Sequence, residues 1–291
     1  MNGLATWAPL PLGNHVLAES PRWDGRTNEL VWVDVFEGSL CRSTFADETQ
    51  TWTAAQRWSV GVPATSVSPL HDPRLGWALA TGRHLARVSR QGVATAVCEL
   101  VASADYPALR TNDMVTDVVG RLYVGLLEEV RSNPRAALLR VDLDGSVSVA
   151  VDGLIAANGL GFSPDASTLY LVDSIPKTLT AYPYENGSGH VGAGDVMVRW
   201  VGPGTLDGLM VDDTGDIWVA VWDAGVVCRY TPGGDLVDTY ASPVVRPTAL
   251  ALVGSCRNTV VLTTARVDLR SPVEPQKPTS EGQLFAMRVP T

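Results

Sequence analysis

At 291 residues, with 45% hydrophobic and only 18% charged residues, the chain has ample material for a packed core, and no part of it reads as disordered. A net charge of −9 and the absence of any basic run argue against nucleic acid or an anionic membrane as partner and suit a cation. No apolar run approaches the ~20 residues of a membrane helix.

The N-terminus lacks a basic segment followed by an apolar one, so no signal peptide is read. Among the four cysteines there is no C-x-x-C pair; Cys41 and Cys228 fall in third strands of the repeat described below and read as buried small hydrophobes. Together these features predict a cytoplasmic protein; a small-molecule substrate and a monomer or weak homo-oligomer are expected as well.

The predicted elements are short strands throughout, because β-branched and aromatic runs alternate with Gly, Pro and Asp turns. Ser20–Ser59 forms a first group around Trp32 (ELVWVDV), and Ala64–Ala102 a second around Trp77 (GWALATG). Asn112–Gly153 follows around Tyr123 (RLYVGLL), with an insertion near Glu128–Arg135, and Asn158–Gly202 around Tyr170 (STLYLVDS). Gly208–Pro243, around Trp218, is the plainest four-strand meander. The last group comprises Thr248–Gly254, Thr259–Thr264 and Gln283–Val289 around Val261. It is interrupted by a Pro-rich stretch, Arg266–Glu281, that reads either as a lid or as a surface loop.

The six markers stand 45, 46, 47, 48 and 43 residues apart. That period, with no helical pattern between strands, predicts an all-β, six-bladed propeller of four-stranded blades spanning residues 1–291 as one domain. The sixth group has only three strands. Ala5–Leu12 is therefore expected to supply its outer strand and close the ring.

The chemistry lies eleven to thirteen residues before each marker, just ahead of the predicted first strands, at Glu19, Ala64, Asn112, Asn158, Asp207 and Thr248. First strands line the central channel of a propeller, so two carboxylates and two carboxamides should meet at one end of it. Two bare carboxylates in a narrow channel repel each other, and a divalent cation removes the conflict. Oxygen donors suit Ca²⁺, Mg²⁺ or Mn²⁺, and the lack of His and Cys argues against structural zinc.

Other polar residues read as structural. Asp34, Asp117, Asp165, Asp173 and Asp212 recur at strand ends and turns, where carboxylates fix backbone amides. His15, His71, His84 and His190 lie outside the ring and read as loop or surface residues. No G-x-S-x-G elbow supports a serine hydrolase.

The segments LAESPRW, RTNDMVTDVVGRLYVG, NGLGFSPDASTLYLVDS and LDGLMVDDTGDIWVAVW, in that order, resemble the signature segments of the senescence-marker-protein-30/gluconolactonase/luciferin-regenerating-enzyme family. The resemblance implies one divalent cation held by Glu19, Asn158 and Asp207, with calcium foremost and Mg²⁺, Mn²⁺, Zn²⁺ or Fe²⁺ as alternatives. It implies substrate contacts from Arg110 and Asn112, and from Glu129 with Glu128 as fallback. The implied activity is hydrolysis of sugar lactones, with Asp207 as general base. Met114 and Leu126 replace smaller residues of the family pattern, which predicts a bulkier, more apolar pocket wall and a less polar lactone. Two other readings stay open: altered metal-dependent chemistry, such as a lyase, a cyclase or another ester or organophosphate hydrolase, and a non-catalytic propeller riveted by its ion.

Overall fold

The computed structural model describes residues 6–101, 109–131, 133–267 and 280–289. The strands form six small antiparallel sheets, each running outward from an inner strand. The inner strands are Ala18–Asp24, Ala64–Pro69, Leu109–Thr116, Ala157–Phe162, Thr205–Val211 and Pro247–Val253. Each packs beside the inner strand of the next blade, and the sixth returns to the first, so the sheets close into a six-bladed propeller. Closure is made by pairing Ala8 with Ala286 and Pro9 with Phe285, which places the described part of the N-terminal segment outermost on blade six, as expected. Among the described residues no helix is long and apolar enough to cross a membrane.

The repeat marker has a packing cause. Trp32, Trp77, Tyr123, Tyr170, Trp218 and Val261 all sit in second strands and are buried. A blade exposes two faces and can cover them only by stacking on its neighbours, so each needs a large apolar side chain at the same height. Cys41 and Cys228 are buried in third strands without disulfides, again as expected.

The inner strands share a feature that periodicity did not reveal. The ring residues lie within these strands, rather than just ahead of them, at a break in the pairing register. The breaks fall between Glu19 and Arg22, Ala64 and Ser66, Thr111 and Met114, Ala157 and Leu160, Leu206 and Leu209, and Pro247 and Leu250. A bulge adds a residue to one strand and re-aims its side chain, here at the channel.

The glycines after Asn158 and Asp207 are explained by proximity. A Cβ on Gly159 would stand 2.5 Å from Leu209 N and 2.6 Å from Asp207 O, and one on Gly208 would stand 2.3 Å from Ala249 Cβ. Gly159→Ala should therefore wedge blades four and five apart. We expect a loss of about 1–3 kcal/mol in urea unfolding, the usual range for overpacking. A variant as stable as wild type would show that this contact is not close.

Candidate active site

Seen from the channel mouth, the bulges of blades one, three, four and five turn four polar side chains toward one cavity of about 70 Å³. Glu19, Asn112, Asn158 and Asp207 line it, together with Arg110 and Arg131. A deeper space of about 30 Å³ adjoins it, sharing Glu19, Arg110, Asn112 and Asn158 and reaching Asp113. Five of the six residues singled out from the sequence thus meet at one place. The sixth, Glu129, lies at the rim, exposed, with Oε1 3.9 Å from Arg110 Nε.

The fallback Glu128 is buried and faces its own loop, accepting the backbone N–H of Asn133 at 2.9 Å. Glu128 ends the second strand of blade three and Glu129 opens the turn after it, so the two adjacent glutamates part company here. Strand alternation corrects the expected wall residues. Met114 and Leu126 are buried in the packing between blades and do not line the cavity; its apolar surface comes from Leu17, Leu127, Ala156 and Trp222. Neither Met114 nor Leu126 therefore favours a less polar substrate.

Hydrogen bonds fix the ring residues from behind. Asn112 donates from Nδ2 to Ala157 O at 3.0 Å and accepts from Arg110 Nη1 at 3.3 Å; the same Nη1 donates to Thr111 O at 2.9 Å. Asn158 Nδ2 donates to Asp207 Oδ1 and, at 3.2 Å, to Ser174 Oγ. Glu19 Oε2 accepts from Ser20 N at 3.1 Å. That pattern leaves Glu19 Oε1, Asn158 Oδ1 and Asp207 Oδ2 without hydrogen-bond partners among the described residues.

Below the ring lies a second polar layer that the sequence reading missed. Asp113 Oδ1 accepts from Arg22 Nη2 at 2.9 Å, from Ser66 Oγ at 3.1 Å and from the backbone of Met114 at 2.8 Å. Ser20 and Ser66 pair through their hydroxyls at 2.6 Å. The only sequence signal was position, since Asp113 follows a ring residue inside a bulge.

The electrostatics follow from burial. Glu19 is raised well above the usual carboxylate range, first by desolvation and then by the charges of Asp207 and Asp113; the Ser20 amide and Arg22 offset part of this. Asp207 is also raised, mainly by desolvation, against the opposing hydrogen bond from Asn158. Two desolvated carboxyls that resist ionising beside each other, each with one oxygen free of hydrogen bonds among the described residues and with Asn158 Oδ1 in the same cavity, fit a hard divalent cation. Among the described residues no three His, Cys, Asp or Glu side chains converge on one point; the donor set that fits an ion is two carboxylates plus an amide.

The predicted anchoring aspartates behave as expected. Asp34 holds the amides of Val16 and Glu37, Asp117 those of Val119, Gly120 and Arg121, and Asp165 that of Ser167. Asp173 holds Ile155 and Ala156, and Asp212 holds Thr214 and Asp216. His15 lies in a loop, as expected, but not at the surface. It is fully buried, with Nε2 accepting from Trp32 Nε1 at 3.2 Å, because the segment before blade one tucks under the closing blade instead of crossing the surface. Most of the 266–281 insertion lies outside the described residues, and with it the expected lid.

A six-bladed propeller with a cation-fitting pocket at one end of its axis is the class that fold and cavity define. Residues 17–266 match the description SMP-30/Gluconolactonase/LRE-like region. The chain is 32% identical over 280 residues to an L-arabinolactonase of Azospirillum brasilense, covering 94% of this chain and 88% of that protein. It is 30% identical over 257 residues to Pentonolactonase XacC of Haloferax volcanii, covering 87% and 82%. The chain belongs to the SMP-30/gluconolactonase/LRE-like family. A solved luciferin-regenerating enzyme superposes with a TM-score of 0.85 at 21% identity, covering 98% of this chain and 95% of that one, a likeness of fold.

Proposed function

We propose that the protein hydrolyses a polar, sugar-like lactone with the help of one divalent cation, calcium foremost, held by Glu19, Asn158 and Asp207. The observation that carries this reading is that those three residues, each with an oxygen free of hydrogen bonds among the described residues, line one cavity beside the Arg110–Asn112 pair. Its support from relatives is that lactonases match along nearly the whole chain.

A cation bound there supplies charge neutralisation for the buried carboxylates and Lewis acidity toward a carbonyl. The chain's own residues do the rest. Asp207, one oxygen engaged by Asn158 Nδ2 and the other beside the cation it would help to hold, is the residue assigned to take the proton of the attacking water. Asn112, held from both ends, and Arg110 present hydrogen-bonding groups to ring hydroxyls, and Glu129 reaches the same substrate from the rim. The bond broken is the ring acyl C–O bond, the bond formed joins the water oxygen to the acyl carbon, the ring oxygen leaves as a hydroxyl, and the products are a hydroxycarboxylate and one proton.

The test is acid release in a pH-stat from D-glucono-1,5-lactone and L-arabinono-1,4-lactone. Turnover should vanish in EDTA and return on adding calcium or another divalent ion. Failure to open any lactone in any divalent ion would replace this reading by the binding propeller.

A further inference from the structure

We infer that Arg131 and Arg110 form a cradle for an anionic substituent, a carboxylate or a similar oxyanion, which the lactone carries away from its ester. This deepens the proposed function and rests on it. Both side chains line the cavity, but from different structures: Arg110 from the inner strand of blade three, Arg131 from the loop after its second strand.

Arg110 is partly buried and held by the backbone of Thr111 and by Asn112, with the exposed Glu129 near it as the opposite charge outside the ring among the described residues. The Arg131 side chain has no hydrogen bond or ion pair among the described residues, although its loop is carefully built. Its backbone has φ of 52°, in the region that favours glycine, yet the residue there is a long cation. Arg131 N bonds Glu128 O at 3.0 Å, and the buried Glu128 carboxylate holds Asn133 N at 2.9 Å, which fixes the turn. An uncommon backbone held by a buried carboxylate to aim an unpaired guanidinium into a pocket points to a ligand for that group.

Charge gives the ligand's sign. The two guanidiniums disfavour one another, and Arg131 adds to the burial that lowers the pKa of Arg110. Asp207, on which Arg131 acts, and Glu19, on which Arg110 acts, would both be engaged by a divalent cation; that leaves the exposed Glu129 as the carboxylate opposing Arg110 among the described residues, and the mouth becomes positive on a protein whose net charge is −9. Two planar forks at one rim match an oxyanion with paired hydrogen bonds. Arg131 also acts on Asp207, opposing the rise in that carboxyl's pKa; a bound cation takes over that role and leaves the guanidinium to a ligand.

The experiment compares kcat/KM for D-glucono-1,5-lactone with that for D-glucaro-1,4-lactone and 6-phospho-D-glucono-1,5-lactone in wild type, Arg131→Gln and Arg131→Lys. The quantity read is the charged-to-neutral ratio, whose change between variants is free of ring-size effects. Arg131→Gln should lower that ratio at least about tenfold, the size of one lost charge-assisted bond, through KM and not kcat. Arg131→Lys should keep part of it. The larger of the carboxylate and phosphate ratios assigns the anion. A ratio that moves less than about twofold on substitution, or a loss confined to kcat, overturns the cradle.

Calorimetry on the calcium-loaded protein separates this inference from the lactonase reading. If no lactone is opened but the dianion glucarate binds more tightly than gluconate, and Arg131→Gln removes the difference, the cradle stands and the lactonase reading falls. Equal binding of the two acids overturns the cradle.

Discussion

Asp207→Asn should lower kcat for any lactone the protein opens by roughly 10²–10⁴-fold, the range attached to one positioned general base. The exchange is nearly isosteric, and the side chain is buried in the bulge of blade five, so the shape of the cavity survives. What is lost is the ability of the second oxygen to take a proton, together with one of two negative charges in the ring. Calcium titration followed by thermal shift separates these. If the variant still gains stability from calcium at raised concentration while turnover stays absent at saturation, the lost step is proton transfer. If turnover returns in full at saturating calcium, Asp207 serves the ion alone and the general-base assignment fails. Asn158→Asp is the complementary change; it adds a third carboxylate and should tighten calcium binding without replacing the lost base.

The propeller was legible because its cause is one-dimensional. A buried aromatic in each second strand recurs at every blade but the last, where a valine takes its place, and Trp32 to Val261 mark the period without any knowledge of contacts. The ring was legible for the same reason, since equal spacing in a closed repeat means equal height on the axis. Local deviations were harder to read. The six bulges move the ring residues into the strands, and a bulge leaves no mark in a hydrophobic pattern read at period two. The same one-residue ambiguity misassigned Leu126 to the pocket wall where Leu127 stands, and it offered Glu128 as a fallback although its carboxylate ties down a loop. The Asp113–Arg22 pair joins residues far apart in sequence within one polar layer, and only the closed ring brings them together. Arg131 could not be read at all, because its meaning lies in a backbone angle and in the lack of a partner among the described residues.

The paired carboxylates also govern how stability should depend on pH. Glu19 and Asp207 both titrate higher in the folded protein than in the unfolded chain, Asp207 up at about 8. Between an unfolded carboxyl value of about 4 and those raised values, the native state keeps protons that the unfolded state has released. Metal-free protein in EDTA should therefore lose stability as pH rises from about 4 toward about 8. The loss should be on the order of a few kcal/mol, since each tenfold difference in proton affinity between the two states is worth ~1.4 kcal/mol. The other displaced carboxylates cannot mimic this. Asp34, Asp117, Asp212 and Glu29 are all lowered, so their contribution is present above the ordinary carboxyl range and disappears only in acid below it. Calcium should reverse the sign in the neutral window, because the ion binds the ionised pair and must displace its protons. Urea midpoints measured from about pH 4 to about pH 9, in EDTA and in calcium, read both slopes. The double variant Glu19→Gln, Asp207→Asn should flatten the EDTA profile and abolish the calcium effect. An EDTA profile that rises through neutrality, or a calcium gain that survives in the double variant, would mean that the cation is held elsewhere.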